Sequence, residues 1–289
     1  MQMEYSPDDI AAARSLQFFA FTSTSIATFW TYEYACTLHE EWTFLLRSRC
    51  TKVKAIYIVT RYVPFLLLTT NLYLSFIPNE NPDKCRVLVN ICSGFGTISV
   101  ICSECFFILR TYALWNKNRI VLAAMISTFL TFIVVSMSLQ VVFATTVPVT
   151  YATSAIPGIT GCYQSSSSFQ LFISFIFLPA FQLGLITLTL IRAIQSWQST
   201  QGRHLYIVLL THNIFYYACG LLFSVANILP PLLLHYAYYS ILHNFQYIIL
   251  TVLATRLHRH LWQMDQRVVH GSDVVSIPMA DMSFADCTV

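Results

Sequence analysis

The sequence predicts an all-α fold, a polytopic seven-transmembrane helix bundle with its N-terminus outside and its C-terminus in the cytosol. Three observations predict it. First, only 10% of the 289 residues are charged, 56% are hydrophobic, and the mean hydropathy is +0.61. Globular chains carry about 25% charged residues, and so few ionic side chains cannot wet the surface of a water-soluble domain. Second, seven stretches reach the roughly 20 apolar residues that a helix needs to cross about 30 Å of hydrocarbon. Third, basic residues are dense and sparse in alternate connections between those stretches, the pattern that sets membrane orientation. The 8 Gly and 10 Pro are too few for a collagen-like or low-complexity chain. No ten-residue segments of alternating polarity suggest a membrane β-barrel.

The predicted spans are 16–38, 54–77, 87–113, 120–145, 169–191, 205–229 and 233–255, within one transmembrane domain at 16–256. Residues 1–15 form an extracellular N-terminus. The first span is interrupted by Thr22, Ser23, Thr24 and Ser25. It is too long for a signal-peptide core and lacks a following small-residue cleavage site, so it reads as a retained helix. Residues 39–51 mix apolar and charged side chains. They form either a short interfacial helix, with Arg47, Arg49, Lys52 and Lys54 near anionic headgroups, or a solvated loop with a basic face. Pro64 and Pro179 lie inside the second and fifth spans, where each removes a backbone donor. The 146–168 connection is uncharged and rich in Thr and Ser, as an outer loop should be. The sixth span contains His212 and Asn213, and tyrosines crowd the sixth and seventh. After Trp262 the chain turns polar and mildly acidic, so 257–289 is expected to be a disordered cytosolic tail.

The segments 39–54, 110–119, 192–204 and 256–289 hold 12 of the 16 basic residues, the intervening segments hold 3, and Arg61 lies inside the second span. This asymmetry gives the predicted orientation.

Ionisable groups inside a bilayer are costly, which makes them candidate functional residues. Glu33, Arg61 and Glu104 lie roughly 8, 10 and 14 Å from the cytosolic ends of the first three spans at 1.5 Å per residue. One cation therefore sits at nearly the level of two acids, and Arg61 is expected to pair with Glu33, Glu104 or both. Its planar fork suits two carboxylates. Such a network serves either to fix helix register or as a conformational lock that opens in a switching or transport cycle.

Among nine cysteines, Cys36, Cys92, Cys102, Cys105 and Cys219 read as small apolar residues. The Cys102-Ser103-Glu104-Cys105 run has no second ligand pair for a metal. Cys85 and Cys162 both fall on the outer, oxidising side, where a disulfide would tie the outer loop over the third span; the alternative is two free thiols. His212, His235 and His243 lack the i, i+4 spacing and carboxylate of a zinc hydrolase. His235 and Tyr239, near the outer end of the last span, are candidates for an outward cavity, the alternative being an interfacial aromatic belt. G-x-S-x-G, P-loop and Rossmann motifs are absent. No enzymatic activity, metal, cofactor or nucleic-acid partner is expected; the expected partners are the lipid bilayer and a cytosolic signalling protein.

Tyr32-Glu33-Tyr34, Thr37-Leu38, Glu41, Thr51, Lys54 and Arg61-Tyr62 resemble the N-terminal signature of fungal multi-pass membrane proteins from mushroom-forming species, which carry a domain of unknown function (DUF6533-like). Arg110-Thr111-Tyr112-Ala113-Leu114-Trp115 is similar to that family's R-x-Y-A-L-Y/W. Thr255-Arg256-Leu257 is similar to its S-R-L. Leu46 stands where the family usually has Trp, Thr60 where it has Asn, and Glu33 where Asp is common. The resemblance implies a seven-helix bundle and brings no catalytic or ligand residues. A receptor-like sensor is the expected function. A transporter or channel using the charge cluster and a non-catalytic structural protein are the alternatives. The support is architectural: the orientation, the Cys85 and Cys162 placement, and an Arg-x-Tyr at the inner end of the third span. The last span lacks the N-P-x-x-Y of rhodopsin-like receptors.

Overall fold

A computed structural model describes residues 6–47, 52–76, 82–146, 151–153, 156, 158–164, 169–197, 203–228 and 236–270. Among them are seven helices: α1 (Pro7–Arg47), α2 (Lys52–Phe76), α3 (Pro82–Leu114), α4 (Arg119–Thr146), α5 (Phe169–Trp197), α6 (Arg203–Ala226) and α7 (Tyr236–His270). A hairpin of β1 (Tyr151–Thr153) and β2 (Cys162–Gln164) lies between α4 and α5. Among the described residues, four helices contain segments long and apolar enough to cross a membrane: Val53–Phe76, Asp83–Leu114, Arg119–Leu139 and Ile176–Gln195.

Local sequence explains the helix ends. The Ser6 carbonyl accepts the Ile10 N–H at 3.1 Å, Pro7 occupies the first helical position, and Asp9 complements the dipole of the first turn. Between α3 and α4, Asn116 and Lys117 take left-handed φ of 53° and 57°. The Lys117 N–H returns to the Tyr112 carbonyl and that of Asn116 to Ala113, both at 3.2 Å, closing α3 with a Schellman motif. Asn118 Oδ1 then accepts the Ile120 N–H at 2.9 Å and caps α4.

The hydroxyls that interrupt the first apolar stretch do not break α1. Thr24, Ser25, Thr28 and Thr31 each donate to the carbonyl four residues back at 2.8–2.9 Å, which satisfies the hydroxyl inside the helix. Helix α1 continues through 39–47, so neither a separate interfacial helix nor a loop occupies those residues. The helix persists because Glu41 and Phe44 are buried against the bundle. The last helix likewise runs to His270, well past the expected start of a disordered tail at 257. No Gly or Pro interrupts 256–270, and Leu257 and Arg259 are buried.

Helix α3 packs against α2, α4, α5 and α7, while α1 packs on α2 and α7 and α5 on α6. One core cluster gathers Phe44, Tyr57, Phe106, Phe107, Leu250 and Leu257; a second gathers Ile26, Trp30, Leu67, Tyr247 and Ile248. The exterior is also apolar. Leu130, Val134 and Val141 of α4 are 53%, 62% and 64% exposed, as expected for a surface that meets acyl chains.

The hairpin docks on the end of the bundle where α1 begins, α2 ends and α3 begins. Cys85 and Cys162 form a disulfide with Cα atoms 6.3 Å apart. Thr160 Oγ1 donates to the Ser75 carbonyl at 3.0 Å. Gly161, at φ 101°, sits so close to α2 that a Cβ would lie 3.3 Å from that carbonyl oxygen; both the conformation and the space call for glycine.

Candidate functional site

Glu33, Thr37 and Glu41 are spaced at i, i+4 and i+8, which places them on one stripe of α1. Arg61 projects from α2 onto the middle of that stripe. Its Nη1 donates to Glu33 Oε2 at 2.6 Å, its Nη2 to Thr37 Oγ1 at 2.6 Å, and its Nε to Glu41 Oε2 at 2.9 Å. All three guanidinium nitrogens thus have acceptors, the use for which a fork is better shaped than an ammonium. Trp30 and Tyr34, from the same helical stripe, lie with ring centroids 5.1 and 5.2 Å from Arg61 Cζ and add cation–π attraction. Arg61 itself is 0% exposed.

Helix α7 completes the network. Arg256 Nε reaches Glu33 Oε1 at 3.2 Å, and Arg259 lies 3.8 Å from that oxygen and 3.7 Å from Glu40. Arg259 also donates to the Thr37 carbonyl at 3.3 Å. Three acids (Glu33, Glu40, Glu41) and three arginines (Arg61, Arg256, Arg259) therefore form a neutral joint between α1, α2 and α7. Neutrality matters because an unpaired charge in such surroundings costs several kcal/mol.

Glu104 corrects the sequence expectation: among the described residues it is not a partner of Arg61. It accepts a hydrogen bond from Gln182 Nε2 at 2.6 Å. A polar chain then crosses the bundle. Ser224 Oγ donates to Gln182 Oε1, Gln246 Nε2 to Ser224 Oγ, and Asn227 Nδ2 to Gln246 Oε1, each at 2.7 Å. Glu104 lies at a similar depth to Arg61, but it faces α5 rather than α1, and depth along a helix does not specify which face a residue occupies.

The other signature residues are spread around this joint. Lys54 Nζ donates to the Leu45 carbonyl at 2.7 Å, satisfying an acceptor in the last turn of α1. Tyr62 is partly exposed, with its ring 6.3 Å from that of Tyr34. Tyr32 is 69% exposed and outside the network. Arg110 lies 2.5 Å from His258 Nδ1, linking the last turns of α3 to α7, and Tyr112 beside it is buried. Thr255 and Leu257 are buried on either side of Arg256. Of the outward-cavity residues, His235 lies outside the described residues, and Tyr239 lies in α7 with its side chain outside them.

Sequence reasoning missed Arg256 and Arg259 as partners and left Glu41 as a signature residue only. The i, i+4, i+8 spacing of Glu33, Thr37 and Glu41 would have revealed the stripe.

A family described as "Family of unknown function (DUF6533)" matches residues 21–66. The matched stretch holds Glu33, Thr37, Glu41 and Arg61 with their ring neighbours Trp30 and Tyr34, and so includes both sides of the α1–α2 contact. No curated protein and no solved structure matches the chain.

Proposed function

We propose that the protein is a receptor-like seven-helix membrane sensor of the fungal multi-pass type, oriented with its N-terminus outside and its C-terminus in the cytosol. The observation that carries this reading is the joint around Arg61, where α1, α2 and α7 are held at one end of the bundle by paired charges. A charged joint between helices has discrete made and broken arrangements, which is what a switch requires. The orientation is supported by the distribution of basic residues and by the disulfide. A bond between Cys85 and Cys162 belongs to an oxidising compartment, and it lies at the end of the bundle opposite the joint.

The test uses the full-length protein solubilised in mild detergent. A cytosolic partner is expected to be retained in a nucleotide-sensitive manner, and Arg256→Gln, which loosens the exposed edge of the joint, should change that retention. If no partner is retained under any stimulus, the receptor reading fails.

The polar chain from Glu104 to Asn227 favours a second reading, transport of protons or small cations. That reading requires flux into proteoliposomes that is lost in Glu104→Gln.

A further inference from the structure

We propose that a cleft between α3, α4, α5 and α7 binds a small ring-bearing lipophile with one hydroxyl or carbonyl group, which reaches it sideways through the bilayer. The cleft encloses about 170 Å³. An engineered apolar cavity of about 150 Å³ holds benzene, so this one accommodates a substituted single ring.

Its walls indicate the chemistry. Phe129 and Phe132 of α4 face Phe177 and Phe181 of α5, with centroids 5.0 Å apart for Phe129 and Phe181 and 5.6 Å for Phe132 and Phe177. These are the separations at which rings pack edge-to-face or offset, and a flat ligand ring extends that pattern better than a flexible chain does. The lining also carries polar groups: the hydroxyl residues Ser93 and Thr97 of α3 and Ser136 of α4, and the Tyr247 hydroxyl and His243 Nε2 of α7, which are hydrogen-bonded to one another. An apolar chamber with a few fixed polar groups is the usual form of a small-molecule site.

Two features make the space and open it. A Cβ on Gly96 would overlap the Tyr247 ring, so glycine at that position lets the ring lie against the α3 backbone and close one end of the chamber. Among the lining residues, Ser93 of α3 and Met137 of α4 are exposed, so the mouth lies between those two helices. Ser93 lies six residues inside the 87–113 span, roughly 9 Å from that end along the helix axis, where the surroundings are acyl chains in the membrane-spanning reading. A ligand that arrives there dissolves in the bilayer first, which selects for lipophiles.

The binding site rests on the membrane-spanning part of the proposed function, and only its role as a sensor's ligand site rests on the receptor part. The test titrates the full chain in lipid nanodiscs with thymol, with p-cymene (a ring without a hydroxyl) and with n-decanol (a hydroxyl without a ring). Ligand-observed NMR reads the bound fraction, and empty nanodiscs give the partitioning baseline. Thymol is expected to bind saturably and about three- to tenfold tighter than p-cymene, the range of one net hydrogen bond, with n-decanol weaker than both. The double variant Tyr247→Phe, His243→Leu, which removes both members of the hydrogen-bonded pair, should erase the difference between thymol and p-cymene while p-cymene still binds saturably. Met137→Trp and, independently, Ser136→Trp should block the mouth and abolish saturable binding. Partitioning without saturation, n-decanol binding as tightly as thymol, or thymol binding unaltered in both tryptophan variants would overturn the inference. Saturable binding that leaves cytosolic partner retention unchanged supports the site and counts against the receptor reading alone.

Discussion

Arg61 and Glu33 are 28 residues apart in the chain and 2.6 Å apart in space, with side chains 0% and 1% exposed. Neither charge has water to turn to, so each depends on the other and on the groups that complete their hydrogen bonding.

Arg61→Ala leaves Glu33 and Glu41 facing each other across a buried void. Breaking a buried pair costs about 3–5 kcal/mol. A sharp loss of monodisperse protein in size-exclusion chromatography and a lowered melting temperature are expected. Arg61→Lys should recover little, because a single ammonium cannot reach Glu33, Thr37 and Glu41 together. If Arg61→Ala purifies and melts like the parent, the joint does not hold the bundle.

The two α7 arginines should differ. The Arg256 side chain is 51% exposed and that of Arg259 is 5% exposed. Arg256→Gln is expected to cost under about 1 kcal/mol, as for other solvent-screened pairs. Arg259→Gln should cost distinctly more. Thermal melts of both variants in the same detergent decide the order.

Removing the disulfide frees a loop closed across a sequence separation of 77 residues. The expected loss is on the order of 2–4 kcal/mol. Cys85→Ser, Cys162→Ser and the double variant should be equally destabilised, since each removes the same bond. Alkylation of the parent under non-reducing conditions should leave both thiols unlabelled by mass.

Gly96→Ala forces the Tyr247 ring to move, because the added Cβ has no room beside it. Overpacking of this kind costs about 1–3 kcal/mol. Adding Tyr247→Leu should recover part of the loss in a double-mutant cycle; strictly additive effects would contradict the contact.

His258 gives a pH dependence. The rings of Phe44, Tyr57 and Phe106 surround it, and this burial, with the nearby Arg110 guanidinium, holds its imidazole well below the ordinary histidine range. In the unfolded chain it protonates near 6.5. Below that pH the unfolded state binds a proton that the folded state refuses, so this contribution is complete above about 6.5 and is lost as pH falls. The melting temperature should drop between pH 7.5 and 5.5 by the equivalent of about 1 kcal/mol. His258→Gln, which keeps an acceptor for Arg110, should flatten that slope.

Apolar runs and charge placement made the helices legible; among the described residues four of them are long and apolar enough to cross a membrane, and a helix that does so must hide its backbone and shed charge within a fixed length. Glu33 and Arg61 stood out as costly residues in apolar surroundings, and the outer-side logic pointed to Cys85 and Cys162. Less legible was anything set by rotation about a helix axis. Glu104 and Arg61 share a depth but not a face, so depth alone suggested a pairing that the bundle does not make. The partners supplied by Arg256 and Arg259 depended on α7 returning beside α1, a tertiary fact with no local sequence signal. The β1–β2 hairpin is three residues on each strand, too short to show a period.

Helix α7 runs fifteen residues beyond Thr255 to His270, about 22 Å of rod at 1.5 Å per residue. Arg256 and Arg259 sit at its base, against Glu33 and Glu40. In the sensor reading proposed above, the joint would act as a fulcrum with a lever attached. A tilt of about 10° there carries the His270 end some 4 Å sideways by the same helix geometry. In that reading, breaking one or two ion pairs of the joint would be amplified into a displacement of the same few ångströms at the last turn of α7.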